Sequence, residues 1–274
     1  RLQMKEETKN SSHHKKSGLF WFLAILLTIG LAVYQRLTGP TYPVKGQVSF
    51  LGEKVSYKLP RSAENKADCP VVVNLPGSLI GQVQGYLRFR RPGGDKPWNI
   101  LAMQADGQQL KGFLPKQPPA GRIEYFVHLV SDSQEVSLTG DRPVVIRFKG
   151  QVSMPVLLAH ILVMFLGMLF SMRAGLAALN PAEKTGRYAK WAAAMIFLGG
   201  FIFGPIIQKM AFGYFWTGFP LGKDLTDTKT LIIMIGWLAA LLSGRKTEPK
   251  RSWVLAASLL TLVLYLIPHS LLGS

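Results

Sequence analysis

Two histidines stand where an ionisable side chain has to be accounted for. His160 lies a few residues into the apolar run Val152 to Met172, and His269 follows the run Trp253 to Ile267. An imidazole inside a membrane is costly and faces a bundle interior or a polar cavity. Two imidazoles at similar depth on facing helices are what a b-type haem takes as axial ligands, and a bundle core is a usual place for that cofactor. Met164, Gly167 and Ser171 share the face of His160, while His269 ends a stripe made by Ser258, Thr261 and Tyr265 at helical spacing. The plainer account is polar packing. Pro268 disfavours continued helix and would leave His269 in a turn at the headgroups. His160 and His269 are thus the candidate ligands of a haem b.

The second group is the segment Phe212-Gly-Tyr-Phe-Trp-Thr-Gly-Phe-Pro-Leu-Gly-Lys-Asp-Leu-Thr-Asp-Thr-Lys, ending at Lys229. Its aromatic residues suit a membrane interface, and Gly213, Gly218 and Gly222 permit tight folding. Asp224 and Asp227 precede an apolar helix, where a carboxylate caps free backbone N–H groups and meets the positive end of the dipole. The alternatives are a cation site, or a proton outlet beside a quinone pocket lined by Tyr214 and Trp216. Two carboxylates alone are too few to define a metal site. Tyr214, Trp216, Asp224 and Asp227 are therefore the candidate quinone or loop site.

Other chemistry is hard to place. The sequence carries no phosphate-cradling glycine loop, zinc-protease pair, serine elbow or dinucleotide fingerprint. Cys69 is the only cysteine, so no disulfide can form within the chain and cysteine-rich metal motifs are excluded. His128 lies on a strand face as a packing or surface residue, and His13 and His14 belong to a polar tail expected to lack structure. Acidic residues are missing from the middles of the apolar runs, which disfavours a carrier driven by buried carboxylates.

The elements that must position these residues follow from the apolar runs. These are Gly18 to Tyr34, Val152 to Met172, Trp191 to Ile207, Thr230 to Ser243 and Trp253 to Ile267. Most are near the ~17–25 residues of a spanning helix, and the Thr230 run is the short one. It has to cross if Arg173, Lys184, Arg187 and Lys190 are to share a membrane face with Arg245, Lys246, Lys250 and Arg251. About five transmembrane helices result. The expected organisation is a basic cytoplasmic tail (1–17), a first helix read as a signal anchor (18–35), an exported domain (36–151) and a four-helix bundle (152–172, 191–207, 226–243 and 253–270). Basic residues concentrate in the tail and the two flanks, giving a cytoplasmic N-terminus and a periplasmic C-terminus in a bacterial inner membrane. Small residues at helical spacing, Gly167 with Ser171, Gly200 with Gly204 and Gly236 with Ala240, allow close helix packing.

Between the first two apolar runs the period changes to that of strands. Val44 to Phe50, Lys54 to Leu59, Pro70 to Leu75, Gln84 to Arg90, Asn99 to Met103, Gln109 to Leu114, Gly121 to Val130, Glu135 to Leu138 and Pro143 to Phe148 are expected strands, separated by Gly and Pro turns. In the longest, Ile123, Tyr125, Val127 and Leu129 share one face. Such spacing predicts an all-β sandwich of immunoglobulin-like architecture.

The net charge of +17 is largely explained by the inner flanks and does not point to nucleic acid. The exported segment retains an excess of cations, suited to lipid headgroups or an acidic partner. The functional expectation is a non-catalytic membrane subunit of a larger envelope complex, with the sandwich as a periplasmic docking domain for other membrane or periplasmic proteins. The alternative is a haem and quinol electron-transfer protein.

Overall fold

The computed structural model describes residues 2–38, 42–93, 96–244 and 248–267, with side chains from residue 17 onward. Pro268 and His269 lie outside the described residues, as do Arg245 and Lys246 of the second basic flank. The chain divides into two compact units, one built on helices and one on strands.

The strands are β1 (Val44–Phe50), β2 (Glu53–Leu59), β3 (Ser62–Glu64), β4 (Cys69–Asn74), β5 (Gln84–Arg90), β6 (Asn99–Ala102), β7 (Gln104–Asp106), β8 (Gln109–Leu114), β9 (Arg122–Val130), β10 (Glu135–Ser137) and β11 (Val144–Lys149). One sheet runs β1-β2-β4-β8-β7 and the other β3-β11-β9-β5-β6, with β10 also paired to β9. All described pairs are antiparallel except β3 with β11. A two-sheet sandwich is what the chain forms, but its strand order departs from the immunoglobulin-like order that the spacing suggested.

Alternation builds the core. Phe50, Val55, Leu59, Val71, Val73, Leu110 and Leu114 of the first sheet pack with Leu87, Ile123, Tyr125, Val127, Leu129, Ile146 and Phe148 of the second. The buried Tyr125 hydroxyl donates to the Pro60 carbonyl at 2.9 Å, which supplies the partner that a polar atom needs in such a core. At Gly112 the sheets approach so closely that a Cβ would lie 2.7 Å from Leu87 Cδ1. The β1–β2 hairpin closes through Leu51 and Gly52, with φ of 50° and 82°. Both are left-handed, as the tightest hairpin turn requires.

The helices are α1 (Leu2–Thr38), α2 (Met154–Ala178), α3 (Gly186–Phe197), α4 (Gly204–Phe212), α5 (Leu225–Leu242) and α6 (Arg251–Leu266). Leu198–Phe203 is π-helical, so α3 and α4 run on as one helical segment, Gly186–Phe212. The backbone of the polar tail, expected to lack structure, is helical from Leu2. Among the described residues, four helical stretches are long and apolar enough to cross a membrane: Ser17–Thr38, Met154–Ala178, Gly186–Phe212 and Leu225–Leu242. The short apolar helix is α6, with 16 residues, and not the Thr230 segment, which begins at Leu225 and extends to 18.

Small residues set the helix contacts as the spacing predicted. A Cβ on Gly167 would stand 3.1 Å from Ile196 Cγ1, one on Gly236 would stand 2.9 Å from Leu260, and one on Gly200 would run into Thr230. The outward faces are leucine-rich: Phe22, Leu26, Leu158, Leu162, Ile235, Leu242 and Val263 are exposed. Polar side chains take the opposite disposition, with Ser171, Ser258 and Thr261 buried. Trp237 Nε1 donates to Thr261 Oγ1 at 3.0 Å, so this buried pair is satisfied.

Candidate functional site

His160 sits on the second turn of α2, and its Nδ1 lies 3.0 Å from the carbonyl oxygen of Gly199. A carbonyl only accepts, so Nδ1 carries the proton and, in the neutral ring, Nε2 keeps a lone pair. The π-helical turn supplies that acceptor. Gly199 O also receives the Gly204 N–H, the wider bond of a π turn. An imidazole fixed through Nδ1 with Nε2 available has the arrangement of a metal-ligating histidine. The surroundings are tightly filled, however. A Cβ on Gly199 would stand 2.8 Å from Met164 Cγ, and one on Gly204 would come within 4.0 Å of the His160 ring. Among the described residues no group of three or more His, Cys, Asp or Glu side chains could hold a metal ion. The second ligand named from the sequence, His269, lies outside the described residues.

The aspartates of the second group hold the segment before α5 in shape. Asp224 is the N-cap of α5, accepting from Thr226 N at 2.6 Å and Asp227 N at 3.4 Å. Asp227 Oδ2 accepts from Thr217 N at 2.7 Å and Gly218 N at 3.0 Å, which ties the aromatic segment to the helix start. Thr228 Oγ1 accepts from Phe219 N at 3.0 Å. Trp216 stacks on Phe201 with ring centroids 5.6 Å apart, and its Nε1 donates to Phe219 O at 3.2 Å. Tyr214 stands exposed. Asp224 thus caps α5, while Asp227, inside the helix, binds N–H groups of the preceding segment instead.

Next to this segment lies a cation that the sequence leaves at the junction of loop and helix. Lys229 belongs to α5 and is only 4% exposed. Its Nζ donates to Ile267 O at 2.7 Å, at the C-terminal end of α6. The side chain also lines a cavity of about 20 Å³ with Met164, Thr226, Thr230 and Tyr265.

About 20 Å along α2 from His160, by helical rise, a second buried cation was likewise read as a flanking charge. Arg173 is 0% exposed. Its Nη2 donates to Glu183 Oε2 at 2.6 Å and Ser17 Oγ at 3.0 Å. The guanidinium faces the rings of Tyr188, Trp21 and Phe20 at 4.3, 5.5 and 5.6 Å from their centroids. A carboxylate and π faces together compensate the charge. Arg251 braces the same corner by donating to the carbonyls of Ala177 at 3.0 Å and Asn180 at 2.6 Å, which also accept the N–H groups of Asn180 and Glu183 in the turn after α2.

On the sandwich, the outward face of the second sheet carries a continuous aromatic strip. Trp98 lies 5.4 Å from Phe126, Phe126 lies 6.0 Å from His128, and His128 stacks parallel on Tyr86 at 4.7 Å. Arg90 and Arg88 sit over the Trp98 ring at 4.3 and 4.8 Å. Glu135 accepts from the Tyr86 hydroxyl and lies 3.0 Å from His128 Nδ1, off the angle of a good hydrogen bond. Burial lowers the His128 pKa below its ordinary value, against the opposing pull of Glu135. Burial first, and then the Glu135 bond, push the Tyr86 hydroxyl up to about 12. Cys69 is buried, and burial raises its thiol to about 11, far from a nucleophile's range.

No protein-family model matches the chain, and comparison with curated proteins finds no relative.

Proposed function

We propose that the chain is an integral protein of the bacterial inner membrane that anchors a periplasmic β-sandwich and presents it to other proteins of a larger envelope assembly. The observation that carries this reading is the placement of the sandwich between two long apolar helices, α1 and α2, which tether it at both ends. The leucine-rich outward faces of the helices suit lipid, where side chains gain nothing from being hidden. Counting the shorter α6 as a fifth span, the positive-inside bias supports a reading with the N-terminus inside and the C-terminus outside. The aromatic strip flanked by Arg88 and Arg90 has the Trp, Tyr and Arg composition of interface anchors.

A photoreactive residue replacing Trp98 in intact membranes tests the reading, with Ser56 on the other sheet as control. Crosslinks from Trp98 to a companion protein that also survives purification in mild detergent are expected. A monomer without companions, and without crosslinks from either position, removes the basis of the proposal.

A second reading is favoured by the His160 geometry. With Nδ1–H held by Gly199 O, Nε2 is presented as a haem ligand would be, with His269 as its partner and the Tyr214 and Trp216 segment as the quinol face. The close packing of Gly199 on Met164 leaves that side filled, so a porphyrin would have to meet His160 from another side. The absorption spectrum of the reduced protein decides it. A b-type band with one iron per chain supports the reading, and its absence ends it.

A further inference from the structure

The strands that close the two sheets are not protected alike. An unpaired strand edge is a template for another chain, and proteins blunt it with charge, proline or cover. Three of the strands that end a sheet, β1, β3 and β7, carry Lys45, Glu64 and Asp106, and β10 carries Glu135. The fourth, β6, reads Asn-Ile-Leu-Ala, with no charge and no proline, and every one of its residues is exposed. Ile100 is 70% exposed.

Hydrogen bonding fixes which backbone groups of β6 stand free. Met103 N donates to Gly85 O at 2.7 Å, and antiparallel pairs alternate between bonded and open. Asn99 and Leu101 therefore turn their backbone groups to β5, while Ile100 and Ala102 turn theirs to the open edge. Cations overlook that edge. Arg88 stands opposite Ile100 on β5, and its guanidinium leans over Trp98, just ahead of β6. Arg90 is bonded to Glu124, whereas among the described residues neither Arg88 nor Lys96 forms an ion pair with a carboxylate.

We propose that β6 accepts an extended acidic segment of a partner protein as an added strand of the second sheet. This rests on the docking reading above and specifies its mode. Backbone bonds to Ile100 and Ala102 supply affinity, and alternate side chains of the incoming strand supply specificity. Neighbouring strands lie about 4.8 Å apart, so a glutamate on the added strand and Arg88 span the width of β6 between them. A second copy of this chain would set one cationic strip beside another, which disfavours self-pairing.

A fluorescent peptide of Glu-Val repeats, titrated against the full chain in detergent, tests the mode, with Lys-Val repeats as its counterpart. The acidic peptide is expected to bind about tenfold more tightly or better, and less tightly as salt rises. Ala102→Pro removes an N–H that β5 does not use. It should weaken binding about tenfold or more while the unfolding midpoint is kept. Should that variant fail to fold, Arg88→Glu, at an exposed side chain, is expected to reverse the preference between the two peptides. In intact membranes, crosslinks from a photoreactive residue at Trp98 should fall as sharply in the Ala102→Pro chain. Crosslinks to a companion that persist in that chain overturn strand addition and leave docking standing, whereas no crosslinks in either chain remove both. Equal affinity for the two peptides, or crosslinks only between copies of this chain, also overturns the proposal.

Discussion

Burial sets the charge state of His128. In the unfolded chain its imidazole titrates near 6.5, and in the sandwich burial between Tyr86 and Phe126 lowers that value. The unfolded chain therefore binds the proton more readily than the folded one, and stability is lost as pH falls below about 6.5. Full stability belongs to the side above that value. His128→Gln removes the titration, so the drop in unfolding midpoint between pH 7.5 and pH 5.5 should be shallower in the variant. Equal slopes for the two proteins would mean that Glu135 compensates the burial completely. Some of this was legible beforehand: alternation placed His128 on the face opposite Ile123 and Tyr125. Its stacking on Tyr86 was not, because the register of β5 against β9 brings them together from 42 positions apart.

Elements pack here through missing side chains. Gly112 on β8 lets Leu87 on β5 cross the gap between the sheets, and the would-be Cβ contact of 2.7 Å leaves no slack. Gly112→Ala should cost about 1–3 kcal/mol through overpacking. Leu87→Val in the same chain should recover part of that loss, measured by denaturant unfolding. Strand bounds were mostly readable: the expected β1, β5 and β8 coincide with the observed ones because strict alternation marks them. The strands β3 and β7, three residues each, escaped notice. Both lie at sheet edges and have no buried-exposed rhythm, and Ala105-Asp106 of β7 followed by Gly107 reads locally as a turn. The two buried cations failed in the same direction. Lys229 and Arg173 each adjoin the end of an apolar run, and sequence alone does not separate a charge that flanks a helix from one folded into its interior. Only partners distant in the chain, Ile267 for one and Ser17 with Tyr188 for the other, make the distinction.

At the scale of the whole molecule, the proposed placement in the membrane depends on where the β unit lies. A reporter enzyme active only outside the cytoplasm, inserted after Asp106 at the tip of the β7–β8 turn, should be active, and a fluorescent reporter that matures only inside should stay dark there. The opposite pattern would reverse the orientation and leave the docking reading without its compartment. The two-unit division was visible from the change of hydrophobic period, whereas the sheet order was not, because pairing among short strands is decided by contacts across the core.

The Arg173 cage has a consequence for how the protein is made. Ser17, Phe20 and Trp21 leave the ribosome well before Arg173, which follows Ser17 by 156 positions, and before Tyr188, later still. At roughly 5–20 residues per second, α1 waits for about 8–30 seconds, while the β unit is synthesised, before the group it shelters exists. A chain whose α1 failed to dock would leave that guanidinium without its Phe20 and Trp21 faces, so α1, made before its partners, completes its contacts only after them.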